Sequence, residues 1–370
     1  MSDYLGKDTP KLGFGLMRLP RLEDGSFDVE QIKKMVDLFV ENGFTYFDTA
    51  FVYEGSEETI KKALVERHPR DSYTLASKLH AMFAKDEEEA KKELDISLER
   101  TGAGYFDYYL LHALDDRNYE LYEKYHLWDF VKKAKEEGKI RHIGFSFHGT
   151  PELLDKLLKE HPEAEFVQLQ LNYNDWESPS VQSRKNYETA RRNGRPVVVM
   201  EPIRGGALAN PIDPVKEIFD QADPDASYAS WAIRYIASKE GILTVLSGMS
   251  TLEQMEDNVS YMKDFKPLNK EEEEVIVRVQ EVIASLDSIP CTACRYCTGG
   301  CPMEIPIPDI FAAKNRLLLG TTDKALRDYN NATKDKGKAS MCIECGQCES
   351  VCPQGINIIE RLKECAEAFE

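Results

Sequence analysis

Short apolar runs recur along the first 263 residues, and between them lie longer stretches with apolar residues every three or four positions. The runs are LGFGLM, FTYFDTA, SYTLASK, FDYYLLH, IRHIGFSF, FVQLQLN, PVVVMEP and ILTVLSG. A short continuous apolar run reads as a strand buried on both faces, and the three-to-four spacing reads as an amphipathic helix. DVEQIKKMVDLFVENG, DEEEAKKELDISLERTG and LYEKYHLWDFVKKAKEEG are such helical stretches. The first opens after Asp28, whose carboxylate suits an N-cap, and stops at Gly43. Eight strand–helix repeats over about 250 residues predict an α/β fold of the (β/α)8 TIM-barrel type. A doubly wound sheet is the alternative. It is disfavoured because the GFG at Gly13–Gly15 lacks the third glycine of the dinucleotide-binding fingerprint.

The pattern changes after residue 263. Residues 264–289, FKPLNKEEEEVIVRVQEVIASLDSIP, read as a linker helix with a solvated acidic face, and residues 290–370 read as a separate small module. All nine cysteines lie in that module. Cys291, Cys294, Cys297, Cys301 and Pro302 repeat as Cys342, Cys345, Cys348, Cys352 and Pro353. This is C-x2-C-x2-C-x3-C-P twice, the bacterial ferredoxin spacing. In that arrangement three thiolates of one run hold one cubane, and the fourth, ahead of the proline, ligates the other. Cys291, Cys294, Cys297 and Cys352 are therefore assigned to one [4Fe–4S] cluster, and Cys342, Cys345, Cys348 and Cys301 to a second. Zinc and metal-free readings are the alternatives. Cys365, in IIERLKECAEAFE, reads as a helix residue outside both sets. IPIPDIFAAKNRLLLG and TTDKALRDYNNATKD, between the runs, show helical periodicity. The module resembles the helical type of two-cluster ferredoxin domain.

Charge and composition narrow the partners. The formal net charge of −18, from 47 basic and 65 acidic residues, argues against nucleic acid. No apolar run approaches the ~18–20 residues that span a bilayer. The start, MSDYLGKDTPKLGFG, shows no basic end followed by an apolar stretch, so no secretory signal is read and a cytoplasmic location is expected. Disulfides are disfavoured there, which supports iron–sulfur use of the thiols.

Catalytic side chains of such barrels sit at the carboxyl ends of the strands. The second run ends in Asp48 with Tyr53 soon after, the third in Lys78, and the fourth in His112. Taken singly, each has a bland reading: a capping Asp, a surface Tyr, a solvated Lys, a satisfied core His. Together, on three successive strand ends, they are the types that proton transfer needs. FDTAFVYEGSEE, LASKLH, YYLLHALDD, GKIRHIGFS, QLQLNYND and SGMSTLEQMEDN resemble the aldo-keto reductases, over about residues 10–263. The whole chain resembles the branch that carries a C-terminal ferredoxin-type module. The resemblance implies Asp48, Tyr53, Lys78 and His112 as the catalytic tetrad. In it Tyr53 is the general acid in carbonyl reduction, Lys78 lowers its pKa, Asp48 keeps Lys78 charged, and His112 binds the carbonyl oxygen or relays a proton.

The resemblance also implies a nicotinamide cofactor, with departures. Ser146 and Gln170 occupy amide-binding positions, but Phe147 stands where an Asn is usual. Met200 replaces the stacking aromatic, and Glu201 follows it near the expected phosphates. Arg204, with Gly205 and Gly206, is expected to offset that charge by contacting the pyrophosphate. After the eighth run the family's phosphate-gripping cations are replaced by Gly248, Met249 and Gln254, while Asn258 is retained. NAD and NADP both remain open, and a flavin is a further alternative. Hydride carriers move two electrons together and iron–sulfur clusters one at a time. The clusters are accordingly read as feeding a flavin or quinone-like substrate, as serving a separate ferredoxin or other redox partner, or as structural or sensory. The expected activity is reduction of a carbonyl or quinone-like small molecule; the alternatives are a flavin-containing electron-transfer reductase, or a redox-sensing or relay subunit with an idle barrel. Phe51 and Trp176 read equally as pocket lining or packing.

Overall fold

The computed structural model describes residues 5, 8–178, 181–285, 288–317 and 322–370. The chain divides into two compact units, Met1–Ala209 with Asp225–Glu273, and Asn210–Pro224 with Glu274–Glu370. In the first, eight parallel strands close into a barrel in chain order. They are β1 (Leu12–Gly15), β2 (Tyr46–Asp48), β3 (Thr74–Leu79), β4 (Phe106–Leu114), β5 (Ile140–Phe147), β6 (Phe166–Gln170), β7 (Val197–Met200) and β8 (Ile242–Ser247). Each coincides with one of the eight apolar runs.

The helices follow from the same periodicity. In α1 (Val29–Glu41) the buried residues Ile32, Met35, Val36 and Phe39 form one stripe, and Phe39 packs edge-on against Phe47 of β2 at 5.2 Å. Asp28 caps α1 by accepting from the Gln31 N–H at 3.0 Å, an interaction whose loss costs about 1 kcal/mol. Gly43, at φ +84°, supplies the left-handed residue that ends it. Next come α2 (Ser56–Ile60) and α3 (Glu87–Thr101). The stretch LYEKYHLWDFVKKAKEEG forms two helices instead of one, α4 (Tyr119–Lys124) and α5 (Leu127–Glu136), separated by His126 at φ +49°. The reason is phase. Tyr122 and Leu127 are both buried yet five residues apart, half a turn out of register on one helix, and the break resets the stripe. Then follow α6 (Pro151–Glu160), α7 (Ser183–Arg192), α8 (Asp213–Ala222), α9 (Tyr228–Ala237) and α10 (Leu252–Met262).

Alternation along the strands decides which residues face the barrel axis. Tyr46, Ala76, Tyr108, Leu110, Phe166, Val198 and Leu246 pack together inside. Gly144 leaves room for the Phe166 ring, which an added Cβ would meet at 2.5 Å. Two residues further along the strands, or four in β6, the same alternation brings Asp48, Lys78, His112, Ser146, Gln170 and Met200 to the carboxyl-end layer. The barrel thus presents its chemistry-bearing residues as one tier.

In the second unit, α11 (Lys270–Ser285), which begins in the first, precedes α12 (Ile307–Leu317), α13 (Thr322–Thr333), α14 (Gln347–Ser350) and α15 (Ile358–Phe369). Its core gathers Ile305, Ile307, Ile310, Phe311, Tyr329, Ile358, Leu362 and the fully buried Cys365. Tyr329 stacks on Phe369 at 4.6 Å. Among the described residues no helix is long and apolar enough to cross a membrane.

Candidate active site and thiol-lined cavities

Lys78 Nζ donates to Asp48 Oδ1 at 2.5 Å and to the Thr49 carbonyl at 2.6 Å, with both side chains buried. Strand register makes this possible. β2 and β3 pair in parallel, and past Asp48 the ladder continues through Thr49 N–H to Ala76 O and Phe51 N–H to Lys78 O. That extension holds the loop carrying Tyr53, whose ring centre lies 5.0 Å from the Lys78 ammonium. Burial works against the charge on Lys78, but Asp48 and Tyr53 outweigh it and hold the pKa above the usual lysine range.

Tyr53 behaves otherwise than the sequence suggests. Burial is the larger influence and raises its pKa; the Lys78 ammonium pulls in the expected direction without prevailing. The expectation of an acidified phenol is therefore corrected: burial outweighs the ammonium, and the pKa lies above the ordinary tyrosine value. His112 meets Tyr53 edge-on at 5.8 Å. Burial first, and Lys78 second, push its imidazole well below the ordinary range, so it is neutral.

A bulge at the end of β4 aims His112, a feature with no signal in the sequence. Register shifts between Leu111 and Leu114, and Ala113 adopts φ +57°. The bulge is pinned by Ser146 Oγ, which accepts from Ala113 N–H at 2.7 Å, by Tyr122, whose hydroxyl donates to the His112 carbonyl, and by Asn118, whose amide donates to Ala113 O at 2.8 Å. Ser146 thus shapes the tetrad.

The remaining cofactor positions are rearranged. Gln170 Nε2 donates to Asp175 at 3.0 Å, and Arg204 pairs with the same buried carboxylate at 3.2 Å. Arg18 pairs with Glu201 at 3.4 Å, while also donating to the Gly205 carbonyl at 3.0 Å. Ser250 Oγ donates to Arg18 O at 2.7 Å, tying together the loops after β1, β7 and β8. Gly205 and Gly206 are left-handed, at φ +65° and +98°. Neither Arg18 nor Asp175 was picked out by sequence reasoning. Their signals were a lone cation in GLMRLP and a carboxylate in NYND.

Met200 Sδ accepts from Gln168 at 3.6 Å. Met249 is buried, whereas Gly248 and Gln254 are exposed. Asn258 is engaged internally, donating to Ser247 Oγ at 2.6 Å and accepting from the Tyr261 hydroxyl at 2.6 Å. Phe51 lies under Arg100 at 4.6 Å, and Trp176 packs against Tyr187 and Tyr235 at 5.6 and 5.9 Å.

In the second unit the eight cysteines fall into two cavities. One is lined by Cys291, Cys294, Cys297 and Cys352 with Pro308, Phe311 and Ile356. The other is lined by Cys301, Cys342, Cys345 and Cys348 with Met303, Ile343 and Leu362. Ile307 contributes to both walls. The loops match in conformation: Ala293 and Arg295 in the first run, and Glu344 and Gly346 in the second, are all left-handed. Non-glycine residues in that region cost about 1–3 kcal/mol each, strain that a cradle for a bound group explains. The donor set and the cavities fit cubane clusters.

A profile of the Aldo/keto reductase family matches residues 11–281, and one of a 4Fe-4S dicluster domain matches residues 290–356. An aldo-keto reductase of Strobilurus tenacellus is 29% identical over 211 residues, covering 54% of this chain and 59% of its own length. The chain spans 54% of an uncharacterized oxidoreductase of Schizosaccharomyces pombe, at 28% identity over 41% of this chain. These first relatives are therefore matched over little more than half their length. An aldo-keto reductase from Bacillus halodurans in its holo form superposes with TM-score 0.60 at 25% identity, over 73% of this chain and 91% of that one. One from Klebsiella pneumoniae, in complex with NADP and acetate, shares the fold with TM-score 0.61 at 21% identity, over 74% and 92%. The chain belongs to the aldo/keto reductase family, in a branch that carries a 4Fe-4S dicluster domain after the barrel.

Proposed function

We propose that the barrel is an oxidoreductase that reduces a carbonyl or quinone-like small molecule with electrons from NADH or NADPH, Tyr53 acting as general acid. The observation that carries this is the convergence of Asp48, Lys78, Tyr53 and His112 on one tier of the barrel mouth. When bound, the nicotinamide supplies hydride. Tyr53 keeps its proton until the carbonyl oxygen gains charge, and Lys78 then stabilises the phenolate left behind. Asp48 keeps Lys78 charged in a buried site. His112, as neutral imidazole, orients the carbonyl oxygen by donating one hydrogen bond. The NADP complex of the Klebsiella relative supports a nicotinamide here.

The C-terminal module, in this reading, holds two [4Fe–4S] clusters, one in each thiol-lined cavity, which supply one-electron transfer. Cys291, Cys294, Cys297 and Cys352 hold one, and Cys342, Cys345, Cys348 and Cys301 the other. The redox partner is a ferredoxin or a quinone-like molecule, and the setting is the cytoplasm. The test is NADH or NADPH oxidation by anaerobically purified protein, with 4-nitrobenzaldehyde or a benzoquinone as acceptor, together with iron and flavin analysis. Acceptor-dependent turnover abolished in Tyr53→Phe supports the reading. Turnover unaffected by that substitution, or bound flavin with no nicotinamide oxidation, removes it.

A further inference from the structure

Tyr53, His112, His80 and Phe83 form a continuous row of rings at the barrel mouth. Successive centroids are 5.8, 5.1 and 4.7 Å apart, each pair edge-to-face. Phe83, at the outer end, is 71% exposed. The row therefore leads from the phenol to the surface. His80 follows β3 directly, and its main-chain N–H donates to the buried Glu93 carboxylate at 2.7 Å, which fixes the backbone without using the ring. The Nδ1 atoms of His80 and His112 are both buried, and neither finds a hydrogen-bond partner among the described residues. A buried unpaired nitrogen is destabilising, and packing alone would be served as well by a phenyl ring.

Burial lowers the pKa of both imidazoles. Each then has one N–H and one lone pair near neutrality, so each can take a proton on one nitrogen while releasing one from the other. The charged and titratable groups facing His80 are His112 on β4, Asp115 after β4, His148 after β5 and Glu93 on α3; those facing His112 are Tyr53, Lys78, His80 and His148.

We propose that His80 acts through His112 as a proton relay, returning to Tyr53 from solvent the proton that each reduction consumes. This rests on the reductase reading above. In one turnover the substrate carbonyl carbon receives the hydride and its oxygen receives the Tyr53 proton, giving the alcohol and a phenolate. The phenolate takes a proton from His112, His112 takes one from His80, and His80 takes one from water or a buffer acid. The net input is one hydride and one solvent proton. His80 is thus a positioning residue for proton supply and touches no substrate.

The experiment compares wild type, His80→Gln, His80→Phe and Tyr53→Phe as full-length, cluster-loaded protein. The assay is NADH- or NADPH-dependent reduction of 4-nitrobenzaldehyde in dilute buffer, with NADH fluorescence quenching confirming that each variant folds. Both His80 variants are expected to lose about 10²-fold in kcat with KM unchanged, at the lower edge of proton-transfer contributions. Added imidazole should restore much of that loss in the His80 variants and none in Tyr53→Phe. His80→Phe keeps the ring row, so normal turnover in that variant alone assigns a packing role and overturns the relay. Unchanged kcat in both, a change confined to KM, or a loss that imidazole leaves untouched also overturns it, with the reductase reading intact. An active Tyr53→Phe, or a wild type without turnover, removes both.

Discussion

Lys78 and Asp48 stand 2.5 Å apart at the ends of adjacent barrel strands, and solvent reaches almost nothing of either side chain. Removing one member of such a pair strands the other charge. Asp48→Leu should lower unfolding free energy by about 3–5 kcal/mol in urea titrations. The Asp48→Leu/Lys78→Met double variant should recover most of that loss, since apolar replacement of a whole buried pair is often near neutral, yet remain inactive. A double variant no more stable than the single would refute the pairing.

Glu93 gives stability a pH signature. Its carboxyl is buried beneath β3, and burial raises its pKa to about 8 from the ordinary 4.5, with the backbone N–H of His80 pulling the other way. Between those values the folded state keeps a proton that the unfolded state has released. Stability therefore falls as pH rises from about 4.5 to about 8, by at most ~1.4 kcal/mol per pH unit, and levels off above. Glu93→Gln should flatten this slope in melts across the range. An identical slope in the variant would assign it to other groups.

The crossed thiol sets predict which cluster each substitution empties. Cys352→Ala should abolish the signal associated with Cys291, Cys294 and Cys297, and Cys301→Ala the one associated with Cys342, Cys345 and Cys348. Each variant is expected to retain roughly half the iron of wild type. Mössbauer or electron paramagnetic resonance spectra of reduced Cys352→Ala and Cys297→Ala should match each other. If Cys352→Ala instead resembles Cys348→Ala, the fourth ligand belongs to its own run.

Cofactor choice follows from the start of α10. No lysine or arginine lies between Ser247 and Asn258. The Leu252 N–H is taken by Gln31 at 3.1 Å, Gln254 N–H by Thr251 at 3.2 Å, and Ser250 N–H by Gln254 at 2.7 Å. Few donors remain for a 2′-phosphate, so NADPH should bind no more tightly than NADH in fluorescence titrations. Arg18→Ala should weaken both. NADPH binding at least tenfold tighter would show that the phosphate finds a cation elsewhere.

The barrel was legible because its strands are buried on both faces, which compresses each into an uninterrupted apolar run such as FDYYLLH. The meeting of Asp48 and Lys78 was legible because alternation carries Tyr46 to Asp48 and Ala76 to Lys78 on the axis side. Local backbone reversals left no trace. His126 splits a helix and Ala113 bends β4, yet neither is a residue type that announces a left-handed conformation. Long-range pairing was equally hidden: Arg204 lies against Asp175, some thirty residues upstream, and no local spacing announces that partner. The upward pKa of Tyr53 reflects how fully its surroundings exclude water, which spacing does not encode. The thiol pairing was legible because a three-residue spacing sets how far a loop can wrap, and the cavity walls repeat that division.

The exchange of Cys301 and Cys352 between the two cavities interlocks the module like a pair of clasped hands. Each cysteine run ends inside the other's cavity, so neither half has a complete inventory of its own. A shortened descendant keeping a single cubane could not arise by trimming one run; it would need a new fourth donor on the survivor.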